Sequence, residues 1–140
     1  MKKLQITNFE LVQIANLIKE LENKRFPQKL SYAIMKSIIN ISKEVEIYTK
    51  QLNAIVETYK EEGKLVLNNK GEIVFENNGI PKVKTEFVEE FAKELDELLN
   101  FKVTVEVSSF SEEMFDYEEE NRYDVLTPSE MIVLMTLSDM

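Results

Sequence analysis

Near the amino terminus Leu4 and Ile6 alternate with Lys3 and Gln5, the two-residue period of a short strand. Thr7, Asn8 and Glu10 come next as a capping box of the Thr-x-x-Glu kind, which predicts that a helix starts there. Leu11, Ile14, Ala15, Ile18 and Leu21 keep the three-and-four spacing of one helical face. The polar stretch 23–27 closes this helix after about 16 residues. Beyond Pro27 lies the most regular pattern in the chain, with Ile34, Ile38, Ile41, Val45, Tyr48, Leu52, Ile55 and Tyr59 spaced alternately four and three apart. This heptad stripe predicts a single helix over 28–62, roughly 50 Å long at about 1.5 Å per residue, whose seam must lie along other chain. Two arrangements satisfy it: an intramolecular hairpin with the first helix and a later one, or a homo-oligomer joined through Tyr48, Leu52, Ile55 and Tyr59. Met35, Ile39, Ile47 and Val56 widen the stripe and favour a globular bundle.

Gly63 then supplies a left-handed cap. Residues 64–67 and 72–75 read as the arms of a small hairpin around Asn68, Asn69, Lys70 and Gly71. A second turn, Asn77-Asn78-Gly79, and Pro81 lead to Thr85, a candidate cap for a third helix with the face Phe87, Val88, Phe91, Ala92, Leu95, Leu98 and Leu99. Glu86, Glu89 and Glu90 fall in its first turns, where the helix dipole favours negative charge. Phe101, Val103, Val105 and Val107 alternate without a fault as one face of a strand, expected to form a sheet with the hairpin and the first strand. Finally Thr127, Pro128, Ser129 and Glu130 place a cap, a first-turn proline and a reciprocal glutamate in order before Met131, Ile132, Leu134, Met135 and Leu137. A helix so apolar all round must be buried or docked on a partner. No internal repeat stands out. The pattern therefore predicts an α+β fold in one domain over residues 1–140, a long antiparallel helical hairpin with shorter helices packed on a small, mainly antiparallel sheet.

Composition narrows the chemistry. The chain has no Cys and no His, which removes thiol nucleophiles, thiolate metal sites, the usual general base and the commonest metal ligand. With only 3 Gly there is neither a G-x-G-x-x-G nor a Walker-type phosphate loop. No run approaches the roughly 18 apolar residues of a spanning helix, and residues 1–13 lack an apolar signal core, so a cytoplasmic protein is expected. Carboxylates are abundant, but most sit on helix surfaces or in one acidic segment and not on convergent rigid elements. No enzyme, cofactor or metal is expected.

The charge is bipolar. Residues 1–84 hold 14 Lys/Arg against 10 Asp/Glu, whereas 85–140 hold 3 against 16. Within 108–124 the periodicity breaks and the acids interleave with Phe110, Met114, Phe115, Tyr117 and Tyr123. Phe115, Asp116, Tyr117, Glu118, Glu119, Glu120 and Tyr123 make up a candidate docking epitope, apolar anchors inside a charged rim, for a protein with a basic surface. The bland alternative is that the aromatics pack on the sheet and leave the acids in water. Asp116, Glu118, Glu120 and Asp124 lack the glycine and spacing of an EF-hand loop. Direct nucleic-acid binding is disfavoured because the lysines are dispersed among glutamates.

The order of elements, with a third helix ending in Glu94-Leu95-Asp96-Glu97-Leu98-Leu99-Asn100 before the strand 101–107, resembles small proteins of unassigned function encoded by bacteriophages of low-GC Gram-positive hosts. The resemblance spans about residues 1–110 and is one of pattern. It carries over no functional residues; the acidic segment and the last helix depart from it. It implies a phage accessory protein in the host cytoplasm. The missing catalytic inventory and the acidic balance after Lys84 lead to the expectation of a non-enzymatic interaction module that inhibits or adapts a host protein complex, as in counter-defence. The alternatives are a homo-oligomeric phage assembly protein and a sponge for a small nucleotide signal, whose phosphates Lys and Arg would have to hold.

Overall fold

The computed structural model describes residues 2–110, 114, 123, 124 and 126–139. It has the α+β character that the sequence pattern predicts. The elements are β1 (Lys2–Thr7), α1 (Asn8–Lys19), α2 (Gln28–Glu61), a 3-10 turn (Thr85–Phe87), α3 (Val88–Asn100), β2 (Lys102–Val107) and α4 (Pro128–Asp139). The backbone gathers into two compact units, Met1–Glu46 with Lys102–Met140, and Ile47–Phe101.

In the first unit β1 and β2 pair antiparallel, with Leu4 opposite Val105 and Ile6 opposite Val103. The alternation read from the sequence holds in part: Leu4, Ile6, Val105 and Val107 point into the core and Val103 is half-buried, but Phe101, expected on the same buried face, ends α3 outside β2 and is 59% exposed. The sheet has only these two strands among the described residues, so the expected partnership with the hairpin does not form. Thr7 caps α1 as predicted: its hydroxyl accepts from Glu10 N at 3.2 Å and its own N–H donates to Glu10 Oε1 at 3.2 Å. The helix is shorter than predicted, 12 residues, because the chain passes at Glu20 into tighter turns. The bonds Leu21 N to Ile18 O and Lys24 N to Leu21 O hold those turns, and Leu21 stays buried on the same face. Periodicity thus outlasts the α-helix. Leu11, Ile18, Leu30, Ile34, Ile41, Leu134 and Leu137 fill the core of this unit.

Two polar groups lock α2 to β2. Buried Ser37 accepts a hydrogen bond from Ser108 N at 2.9 Å, and Asn40 donates to Glu106 O at 3.1 Å. At the far side α4 opens on the predicted second capping box, with Thr127 Oγ1 accepting from Glu130 N at 3.2 Å and Glu130 Oε1 accepting from Thr127 N at 2.9 Å.

The second unit begins within α2, which ends one residue before its predicted limit. Gly63 takes φ +72°, and the bonds Lys64 N to Tyr59 O and Gly63 N to Lys60 O form a Schellman cap. The chain from Lys64 to Lys84 forms more than a hairpin. Leu67 bridges Ile73, Phe75 bridges Pro81 and Leu65 bridges Val83, so three short segments close into a ring. Its backbone bonds run around the ring: Val74 N to Val66 O at 3.2 Å, Lys82 N to Val74 O at 2.7 Å, and Val66 N to Lys82 O at 2.9 Å. Positions 66, 74 and 82 are eight apart, as are Gly63, Gly71 and Gly79, all at positive φ. The ring is an internal repeat that the sequence pattern hides, because it is short and its third copy carries Pro81 and Lys82. Thr85 does not cap α3: it opens the 3-10 turn, and α3 begins at Val88 with no side-chain cap.

Candidate functional site

The core of the second unit is small. Tyr59, Leu65 and Phe91 are fully buried in it, with Ile55, Val56, Ile73, Val83 and Leu95 packed around them. The Tyr59 and Phe91 rings meet at 5.0 Å, tilted by 60°. Lys64 closes one side, with Nζ 2.7 Å from Glu62 and 3.0 Å from Glu90, and 5.1 Å above the Tyr59 ring. Hydrogen bonds to Glu62 and Glu90 hold its ammonium above the usual lysine pKa. Burial, and then the carboxylates of Glu94 and Glu90, push the Tyr59 phenol upward. Among the described residues its buried hydroxyl has no hydrogen-bond partner.

Beside this core a groove of about 470 Å³ opens within the same unit. Tyr48, Leu52 and Val56 of α2 form one wall; Phe91, Leu95 and Leu99 of α3 form another; Phe75, Ile80 and Pro81 of the ring close the third. Among the described residues Glu57 is the single charged one on the lining. Phe75 lies on the lining and remains 58% exposed. Burial raises the phenol pKa of half-buried Tyr48. Helix α3 also carries Glu89, Glu90, Glu94, Asp96 and Glu97 against Lys93, none of them on the groove lining, so the apolar wall belongs to a helix that is otherwise acidic.

No family model, curated protein or solved structure matches this chain.

The structure separates the four predicted seam residues. Tyr59 is buried and Ile55 packs on the same cluster, whereas Tyr48 and Leu52 line the groove. Of the predicted docking epitope, Phe115, Asp116, Tyr117, Glu118, Glu119 and Glu120 lie outside the described residues, and Tyr123 is half-buried. Phe110 is buried in the core of the first unit and Met114 packs against it. The end of the acidic segment is tied down: Arg25 N donates to Asp124 Oδ2 and Asp124 N donates to Arg25 O, both at 2.6 Å. Helix α4 buries Leu134 and Leu137 but leaves Ile132 66% exposed. With Ile14 and Leu17 of α1 it borders a smaller hollow of about 290 Å³.

Sequence reasoning missed Phe75, Ile80, Pro81 and Leu95 as one surface. The eight-residue spacing of Gly63, Gly71 and Gly79 is the one faint signal in the sequence that could have found it. Among the described residues no group of Asp and Glu is placed to hold a metal ion. Among them, too, no helix is long and apolar enough to cross a membrane.

Proposed function

We propose that this chain is a non-enzymatic protein-interaction module whose contact surface is the groove of the second unit, and whose partner presents an apolar segment flanked by Lys or Arg. The observation that carries the reading is the open apolar lining, one wall of which belongs to a helix whose remaining residues are mostly acidic. A buried apolar anchor with a complementary charged rim is the usual anatomy of a protein contact. The absence of His and Cys from the sequence points the same way. In the setting that the phage resemblance implies, the partner is a host or phage protein with a basic surface in the bacterial cytoplasm, which the module inhibits or adapts. The acidic epitope 115–120 adds a second basic-seeking surface to this proposal.

The test is affinity purification of the tagged chain from host lysate, run beside Leu52→Asp and Phe75→Asp variants that keep the wild-type circular dichroism. A partner held by wild type and lost by both variants is then purified, and its basic apolar segment is titrated as a synthetic peptide. Binding of that peptide with the same dependence on Leu52 and Phe75 is the expected result. A partner that both variants retain overturns the groove as the contact surface. A homo-oligomer, measured by light scattering and dissolved by Leu52→Asp, assigns the groove to a second copy.

A further inference from the structure

The second turn of the β ring ends in Asn78 and Gly79, and we propose that this pair is a self-modification site, at which Asn78 loses its side-chain amide to attack by the backbone nitrogen of Gly79. The new bond joins Gly79 N to Asn78 Cγ. The Cγ–Nδ2 bond breaks, and ammonia leaves carrying the proton from the Gly79 nitrogen. Water then opens the resulting five-membered imide at one of its two carbonyls, leaving either aspartate or isoaspartate at 78. The net change is one water consumed and one ammonia released, with no oxidant or cofactor.

Three observations converge on this position, and a fourth sets the pace of the reaction. Asn78 is the one asparagine in the sequence that is followed by glycine, so no side chain shields the attacking nitrogen. Asn78 is exposed, and the space that a Cβ on Gly79 would occupy is open, with no atom within 4 Å. Asn78 Oδ1 accepts from Ile80 N at 3.1 Å, which folds the side chain along its own following peptide. Gly79 N donates to Glu76 O at 2.9 Å, so attack proceeds when that turn bond opens, a frequent event in an exposed turn.

The ring supplies its own control. In the first turn Lys70 occupies the place that Asn78 holds in the second, eight residues on. Asn68 there accepts from both Lys70 N and Glu72 N at 2.9 Å, and Asn69 precedes the bulky Lys70. The reaction is therefore confined to one of two otherwise equivalent turns. Its product adds a negative charge where Gly79 and Ile80 line the groove. Isoaspartate also lengthens the backbone by one methylene and breaks the turn. The chemistry stands whether or not the groove binds a protein.

The purified full-length chain is incubated at physiological temperature over a series of mildly alkaline pH values, then mapped by peptide mass spectrometry and by enzymatic methylation of isoaspartyl groups. The expected result is an amide-to-acid mass gain and methyl acceptance on the peptide containing 78, accelerating with pH, with the peptide containing 68 and 69 unchanged. Asn78→Lys, which copies the first turn, abolishes both signals. Retention of the amide at 78 under conditions that convert an unfolded peptide of the same sequence overturns the proposal. Equal conversion at 69 and 78 overturns it as well.

Discussion

Lys24 Nζ lies 2.6 Å from Glu130 Oε1, and the same carboxylate oxygen accepts the Thr127 N–H at 2.9 Å. One buried glutamate thus caps α4 and fastens it to the turn after α1, across an interval of 106 residues. A local helix signal and a long-range tether share one oxygen atom.

Burial pushes the Glu130 carboxyl upward, but the hydrogen bonds from Lys24 and Thr127 outweigh it, and the net shift is downward. A depressed carboxylate stabilises the fold above its unfolded pKa, about 4.3 for glutamate, and the contribution disappears as pH falls through the lower folded value. Glu130→Ala is expected to cost about 1–3 kcal/mol at neutral pH, read from urea unfolding. In Glu130→Gln the loss of stability with acid should be shallower than in wild type. An unchanged acid limb would falsify the assignment.

Among the described residues the hydroxyl of Tyr59 has no partner, and this sets the sign of its removal. Tyr59→Phe takes away a buried oxygen while keeping the ring against Phe91, so the variant should be as stable as wild type or more so, by up to about 1 kcal/mol. Tyr59→Ala should lose about 3–5 kcal/mol through the cavity it leaves. Thermal unfolding of both variants checks the pair, and a Phe variant that melts well below wild type would show that the hydroxyl is bonded.

Ser37→Ala leaves the Ser108 N–H without its acceptor in a buried place, with an expected cost of about 1–3 kcal/mol. Amide exchange at Ser108 gives the direct readout. The substitution should speed exchange there and leave the amides of the β ring unaffected.

Gly71 stands at φ +78° with open space around its Cα. Gly71→Ala meets no neighbour and is nonetheless expected to destabilise by about 1–2 kcal/mol, because a Cβ in the left-handed region meets its own backbone. A denaturant midpoint equal to wild type would show that the turn had moved to another backbone conformation.

Residues acting within one helical turn of each other were legible in the amino-acid order alone. Thr7 with Glu10 and Thr127 with Glu130 start helices where their spacing says they should, and Gly63 sits at the end of α2. Alternation at Leu4 and Ile6 and at Val105 and Val107 identified buried strand faces. The groove was not legible, although Tyr48 and Leu52 stood out as apolar positions needing cover. Their neighbours Phe75 and Ile80 come from a ring in which each short segment touches two others. No periodicity within a single segment announces such closure.

The sequence by itself determined the capped starts of α1 and α4, the glycine end of α2, the alternation of β1 and most of β2, and the continuous stripe of α2, since each depends on side chains a few residues apart and on the fixed geometry of the backbone. Only the tertiary structure decided that Ile34 and Ile41 would be buried in one unit and Tyr59 in another. It also paired β1 with β2 and not with the hairpin. A stripe of apolar residues requires burial, but which surface covers it depends on shape and hydrogen bonds contributed by chain far away in sequence.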